Sequence, residues 1–147
     1  MSQDIKFSAA EVNLVLHATE NYDKVLQSIE KTVSVPADRF ESTESDGHHG
    51  NKIMLYKSIL SSSEAAALAV KILSSLNAAD RQQLYDYLDY YCDDKGNLYL
   101  RLDKQRICQG KISLSDSDSV RVRFKPIRRY KPSGSIETYR GLLVSTE

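Results

Sequence analysis

Three stretches of this chain alternate apolar with other side chains at a period of two, and they constrain its architecture more than any other feature. Val12, Leu14, Leu16 and Ala18 alternate with Asn13, Val15 and His17. Leu98, Leu100 and Leu102 enclose Tyr99 and Arg101, and Val120, Val122 and Phe124 alternate with Arg121, Arg123 and Lys125. Successive side chains of a strand point to opposite faces, so each stretch predicts a strand with one face in a core and the other toward water. A chain with several such strands needs further elements to cover the apolar face.

Those elements are visible between the strands, where the period becomes helical. Tyr22, Val25, Leu26, Ile29 and Val33 share a helix face behind Thr19 or Asn21 as cap, and Pro36 forbids continuation. Ser61 with Glu64 reads as a capping box opening a helix that turns Ala65, Leu68, Ala69, Ile72 and Leu76 inward. Asn77 and Asp80 start another, predicted to place Leu84, Tyr87, Leu88 and Tyr91 inside and to close at Gly96. Arg39–Thr43 reads as a weak strand and the largely apolar Ile53–Leu60 as an inner one. Asp103–Gln109 suits a single helical turn, Ile112–Leu114 a short strand, and Ile136–Val144 a terminal helix. Strands and helices are mixed and the short turns favour antiparallel pairing, so the predicted class is α+β. No repeat or long linker divides the sequence. It reads as one domain over residues 1–147, with a core over about 11–130 and a tail over 131–147.

Composition narrows the setting. Of 147 residues, 41% are hydrophobic and 27% charged, which is ordinary for a globular protein. No apolar run approaches the roughly 18–20 residues that cross a bilayer. Met1-Ser2-Gln3-Asp4 does not begin a signal peptide. Cys92 and Cys108 have neither a CxxC spacing nor the density of a disulfide scaffold, and read as reduced thiols. The expectation is a cytoplasmic protein with no membrane association. The net charge of zero hides an asymmetry. Residues 1–100 hold 9 Lys+Arg against 15 Asp+Glu, a balance of −6, and residues 101–147 hold 11 against 5, a balance of +6. Such a chain can meet a polyanion locally without being basic overall.

Val120–Lys125 sharpens that point. With Val120, Val122 and Phe124 inward, Arg121, Arg123 and Lys125 line the opposite face about 6.6–7 Å apart, and Arg128, Arg129 and Lys131 follow. Cations in a row repel unless anions neutralise them, and the phosphates of a nucleic acid are a natural partner. A solvated face or a charged, aggregation-resistant edge is the competing explanation. Tyr99 and Arg101 share an outward face, and an aromatic ring beside arginines is what unpaired bases stack on.

Gly47-His48-His49-Gly50-Asn51 invites a metal or acid–base reading, but no Cys, Asp or Glu stands at a convincing ligand spacing apart from the nearby Asp46. A glycine turn joining two strands, with imidazoles and amides free to contact RNA, fits the residues better. The sequence contains no P-loop, GxGxxG, GxSxG or HExxH. On the Tyr85–Tyr91 helix, Tyr85 and Tyr90 fall off the core stripe.

Four segments taken in order, Val12–Glu20, Gly47–Asn51, Gly96–Gln105 and Val120–Phe124, resemble the archaeal RNA-binding protein family once described as predicted exosome subunits. The run Leu98-Tyr99-Leu100-Arg101-Leu102-Asp103-Lys104-Gln105 is the most specific part, and the resemblance spans roughly residues 11–130. The chain departs from the family's pattern at His49, where an aromatic is usual, and at Lys52, where proline is often found. The resemblance implies an antiparallel sheet with helices packed mainly on one face, similar to the ribosomal protein that binds 5S rRNA, and an archaeal cytoplasmic source. Residues and resemblance together predict a non-enzymatic RNA-binding protein of archaeal RNA processing or ribosome-related metabolism, needing no cofactor or metal. Arg121, Arg123, Lys125, Arg128 and Arg129 would contact phosphates, supported by Arg101 and Lys104. Tyr99 would stack on a base, and His48, His49 and Asn51 would add contacts. The alternative is an interaction module whose basic face docks an acidic protein of an RNA-processing complex.

Overall fold

The computed structural model describes residues 7–46, 52–126, 137, 139–141 and 143–144. Among these, Phe7–His17 forms β1, which begins upstream of Val12 because a bulge between Phe7 and Ala9 lets both Phe7 and Ala10 face inward. Tyr22–Val33 is α1, capped by Asn21, whose side chain accepts from the Lys24 amide at 3.1 Å. A 3-10 turn over Ala37–Arg39 delays the next strand, β2, to Glu41–Asp46. β3 is Lys52–Leu60, and α2 is Ser62–Ser75 behind the predicted Ser61–Glu64 capping box.

α3 spans Ala78–Asp86 with Asn77 as cap, and a break at Tyr87 (φ −120°, ψ 31°) separates it from α4, Leu88–Tyr91. The break keeps Leu84 and Leu88 in the core but turns Tyr87 out to 59% exposure, against the expectation of an inward ring. Gly96 has the positive φ of 83° expected of it. It serves the turn between Asp93 and Asn97, however, because the helix has already ended at Tyr91. β4 is Leu98–Asp103, α5 is Lys104–Cys108 and β5 is Ser119–Pro126. Ile112–Leu114 forms no strand, only an isolated bridge from Leu114 to Leu102.

The five strands form one antiparallel sheet in the order β2-β3-β1-β5-β4. α2 packs on β1, while α4 and α5 pack on β4 and α1 bridges α2 and α5, so the helices share one face. The core lies there: Val12, Leu14, Leu16, Leu98, Leu100, Leu102, Val120, Val122 and Phe124 are buried beneath Ile29, Ala65, Leu68, Ile72 and Leu84. Each such side chain removed from water contributes roughly 1.5–3 kcal/mol. Helical residues near the C-terminus join it. Tyr139 and Leu143 are buried, and the Tyr139 hydroxyl donates to the Gly96 carbonyl at 2.8 Å, so part of the expected tail belongs to the core. β3 lies inside the sheet, yet Leu55 and Ile59 are exposed on the face the helices leave open. No helix among the described residues is long and apolar enough to cross a membrane.

Candidate nucleic-acid interface

The open face is written by the residues between the core positions. Register sets Arg101 of β4 opposite Arg121 of β5, then Asn13 of β1, Lys57 of β3 and Glu41 of β2. The next row runs Tyr99, Arg123, Glu11, Ile59. The two strands most suggestive in sequence are therefore neighbours, and Arg101 and Arg121 stand side by side on solvent-exposed positions. Among the described residues neither makes an ion pair or a side-chain hydrogen bond, and Lys125 is equally free. Like charges placed directly across a strand pair destabilise it. Two unit charges about 6 Å apart repel by roughly 0.7 kcal/mol in water and more near a protein surface.

Arg123 behaves differently. Its Nη2 donates to Glu11 Oε2 at 3.0 Å, its side chain is 31% exposed, and its buried Nε finds no acceptor. Glu11 also meets Lys57 at 3.3 Å and accepts from Asn13 Nδ2 at 3.2 Å. Burial pushes the Glu11 carboxyl toward protonation, but hydrogen bonds from Asn13 and Lys57 and the charges of Arg123 and Lys57 outweigh it and hold its pKa low. Glu11, Asn13 and Lys57 were not singled out from sequence. The signal was the outward set of the first alternating strand, which carries both Glu11 and Asn13.

Lys104 corrects the predicted set. Its side chain is 0% exposed, and its Nζ lies 2.9 Å from Glu20, 2.8 Å from Asp118 and 3.2 Å from the Val15 carbonyl. Asp103 caps α5 by accepting from the Arg106 amide, and this places Lys104 in the first turn pointing inward. Burial disfavours the ammonium, yet the hydrogen bonds it donates to Asp118 and Glu20 raise its pKa. Lys104 is a buried tie between the β1–α1 turn and the loop before β5, and a phosphate cannot reach it.

Tyr99 is exposed beside Arg123, and its hydroxyl donates to Asp93 Oδ2 at 3.0 Å, which fixes the ring. His48, His49, Asn51, Arg128 and Arg129 lie outside the described residues. Among the described residues no cluster of three or more His, Cys, Asp or Glu could hold a metal ion.

A sequence model described as RNA binding matches residues 9–126, which contain the whole five-stranded sheet except its first two residues. RNA-binding protein PAB1135 of Pyrococcus abyssi is 29% identical over 120 residues, 78% of each chain. The uncharacterized protein MJ0213 of Methanocaldococcus jannaschii is 29% identical over 126 residues, 82% of this chain and 80% of that one. The fold is shared with the DUF54 protein Mth689 of Methanothermobacter thermautotrophicus, at a TM-score of 0.77 and 23% identity over 94% of this chain and 98% of that one. Protein AF2318 of Archaeglobus fulgidus, also assigned to DUF54, gives a TM-score of 0.77 at 27% identity over 93% and 99%. With most of its length matched and its relatives archaeal, the chain belongs to this RNA-binding family.

Proposed function

We propose that the protein is a non-enzymatic RNA-binding module that grips RNA by its phosphates on the β4–β5 half of the open sheet face. The observation that carries this reading is the Arg101–Arg121 pair, two exposed cations set side by side, neither in an ion pair among the described residues. Lys125 continues the row along β5, Arg123 stands between them held by Glu11, and Tyr99 offers a ring. Arg128 and Arg129 extend the basic run in sequence, and His48, His49 and Asn51 are further contacts proposed from sequence alone. What this face supplies is charge and an aromatic surface, so its work is holding. The setting we propose is archaeal RNA processing or ribosome-related metabolism in the cytoplasm.

Charge-led binding weakens with salt, because each neutralised phosphate releases counterions worth a slope of about 0.7 in log K per log salt for single strands. The three free cations of the sheet face alone predict a slope near −2, which contacts from Arg128 and Arg129 would steepen. Titrating labelled mixed-sequence RNA into the purified protein at several salt concentrations tests the reading. Absence of binding at low salt, or binding indifferent to salt, contradicts it. An acidic protein retained after nuclease treatment, with no RNA affinity of the chain itself, would put a protein in place of RNA.

A further inference from the structure

The outer edge of β4 is covered at both ends and open in the middle. Cys92 bridges to Leu98 at one end, and at the other Leu114 bridges to Leu102 while the Ser115 amide donates to the Arg101 carbonyl at 2.9 Å. Between these covers lies a concavity lined by Tyr90, Tyr91, Asp93, Tyr99, Arg101 and Asp116.

Its polar groups fall into two kinds. Asp93 is consumed by the fold: it accepts from the Lys95 and Asn97 amides, each at 2.9 Å, from Asn97 Nδ2 and from the Tyr99 hydroxyl. Burial raises its pKa, but these donors outweigh it and hold the carboxyl ionised. Arg101 and Asp116 both line the hollow, yet neither has a side-chain partner among the described residues. The rings divide in the same way. Tyr99 is pinned by Asp93, and Tyr91 accepts from Gln83 Nε2 at 2.8 Å. Tyr90 stands edge-on to Tyr91 at 5.4 Å and is 80% exposed, the most exposed large apolar side chain among the described residues.

We propose that this hollow is a subsite for one unpaired nucleobase of a single-stranded RNA. The proposal rests on the phosphate-binding reading above. The base stacks on Tyr90, its N–H edge donates to the Asp116 carboxylate, and the adjoining phosphate lies between Arg101 and Arg121. A ring set edge-on to Tyr91, whose hydroxyl is itself held by Gln83, is ready to stack at little cost in ordering. An unneutralised carboxylate deters phosphate and accepts from the amino or imino groups that bases carry. A duplex keeps its base faces stacked and its edges paired, so it cannot fill the hollow. The protein therefore distinguishes single strands from duplexes at this edge, a discrimination that the arginines alone do not provide.

The test compares a short oligocytidylate with an abasic strand of equal length and a duplex, titrated against the full chain and its Tyr90→Ala, Tyr90→Phe and Arg121→Ala variants. The parent should bind the base-bearing strand about ten-fold tighter than the abasic one, the range stacking allows. Tyr90→Ala should erase that difference, Tyr90→Phe should keep it, and Arg121→Ala should weaken all strands alike. The chain has nine tyrosines and no tryptophan, so stacking should quench its intrinsic fluorescence, and Tyr90→Ala should lose part of the quench. Equal affinity of the parent for base-bearing and abasic strands, or an unchanged preference in Tyr90→Ala, overturns the base subsite. Salt-dependent loss of binding in Arg121→Ala would then still stand for the phosphate contact. Failure of the parent to bind any strand overturns both.

Discussion

Arg101 and Lys104 are three positions apart, and they occupy opposite regimes. On the open face, Arg101 stands beside Arg121, and neither forms an ion pair among the described residues. At the corner where β4 runs into α5, Lys104 is sealed from water between Glu20 and Asp118. A buried charge is tolerated only when its partners satisfy it, so the corner has spent its cation on holding two loops in place. An exposed pair of like charges contributes nothing to the fold and costs it a little. The difference separates structural cations from those available to a polyanion, and sequence distance says nothing about which is which.

Replacing either kind of cation should therefore have opposite consequences. Lys104→Ala strands two carboxylates at the corner and should lower unfolding stability by about 3 kcal/mol, the low end of the range for a broken buried pair because Asp118 is half exposed. Chemical denaturation measures this, and the RNA affinity of the folded fraction should hardly change. Val122→Ala probes the hidden side of the strand that carries Arg121. Val122 is buried between Val12 and Leu100, so truncation should cost on the order of 2 kcal/mol, read as a lowered Tm.

Arg39–Glu64 is an intermediate case, an exposed pair with close geometry at 2.7 Å. The Arg39 guanidinium, aided by Ser61, holds the Glu64 carboxyl down to about 2 against an ordinary value of 4.5. A depressed carboxyl stabilises the fold above the unfolded value and loses that contribution as pH falls from 4.5 toward 2. Glu64→Gln should flatten the stability profile in that window and leave it unchanged in shape near neutrality. Smallest of all should be the effect of Arg101→Ala with Arg121→Ala on stability, within about 0.5 kcal/mol and in the stabilising direction if repulsion dominates.

Much of the frame was legible because local rules carry it. Alternation over Val120–Lys125 and Leu98–Leu102 gave the correct faces, and Asn21, Ser61 and Asn77 announced their helices through side chains that cap the backbone three residues on. What depended on distant partners was not legible. Lys104 sits in an outward-looking basic neighbourhood of the sequence, and only the return of Glu20 from the β1–α1 turn reveals its role. The same holds for Arg123 and Glu11, joined across β1 and β5. Tyr87 matched the core stripe by period, and a backbone break that no residue type signals turned it outward. The adjacency of Arg101 and Arg121 needed the order of the strands, which the spacing of either strand could not provide.

Whether the adjacent arginines hold phosphates is read from the salt dependence of single-stranded RNA binding by Arg101→Ala/Arg121→Ala set against the parent. If the two arginines hold phosphates, removing both should weaken binding at low salt and flatten the slope by about 1.4 units of log K per log salt, with the Tm unmoved. A variant that remains folded and binds with the parent's affinity and slope would show the pair to be no more than a charged patch in solvent.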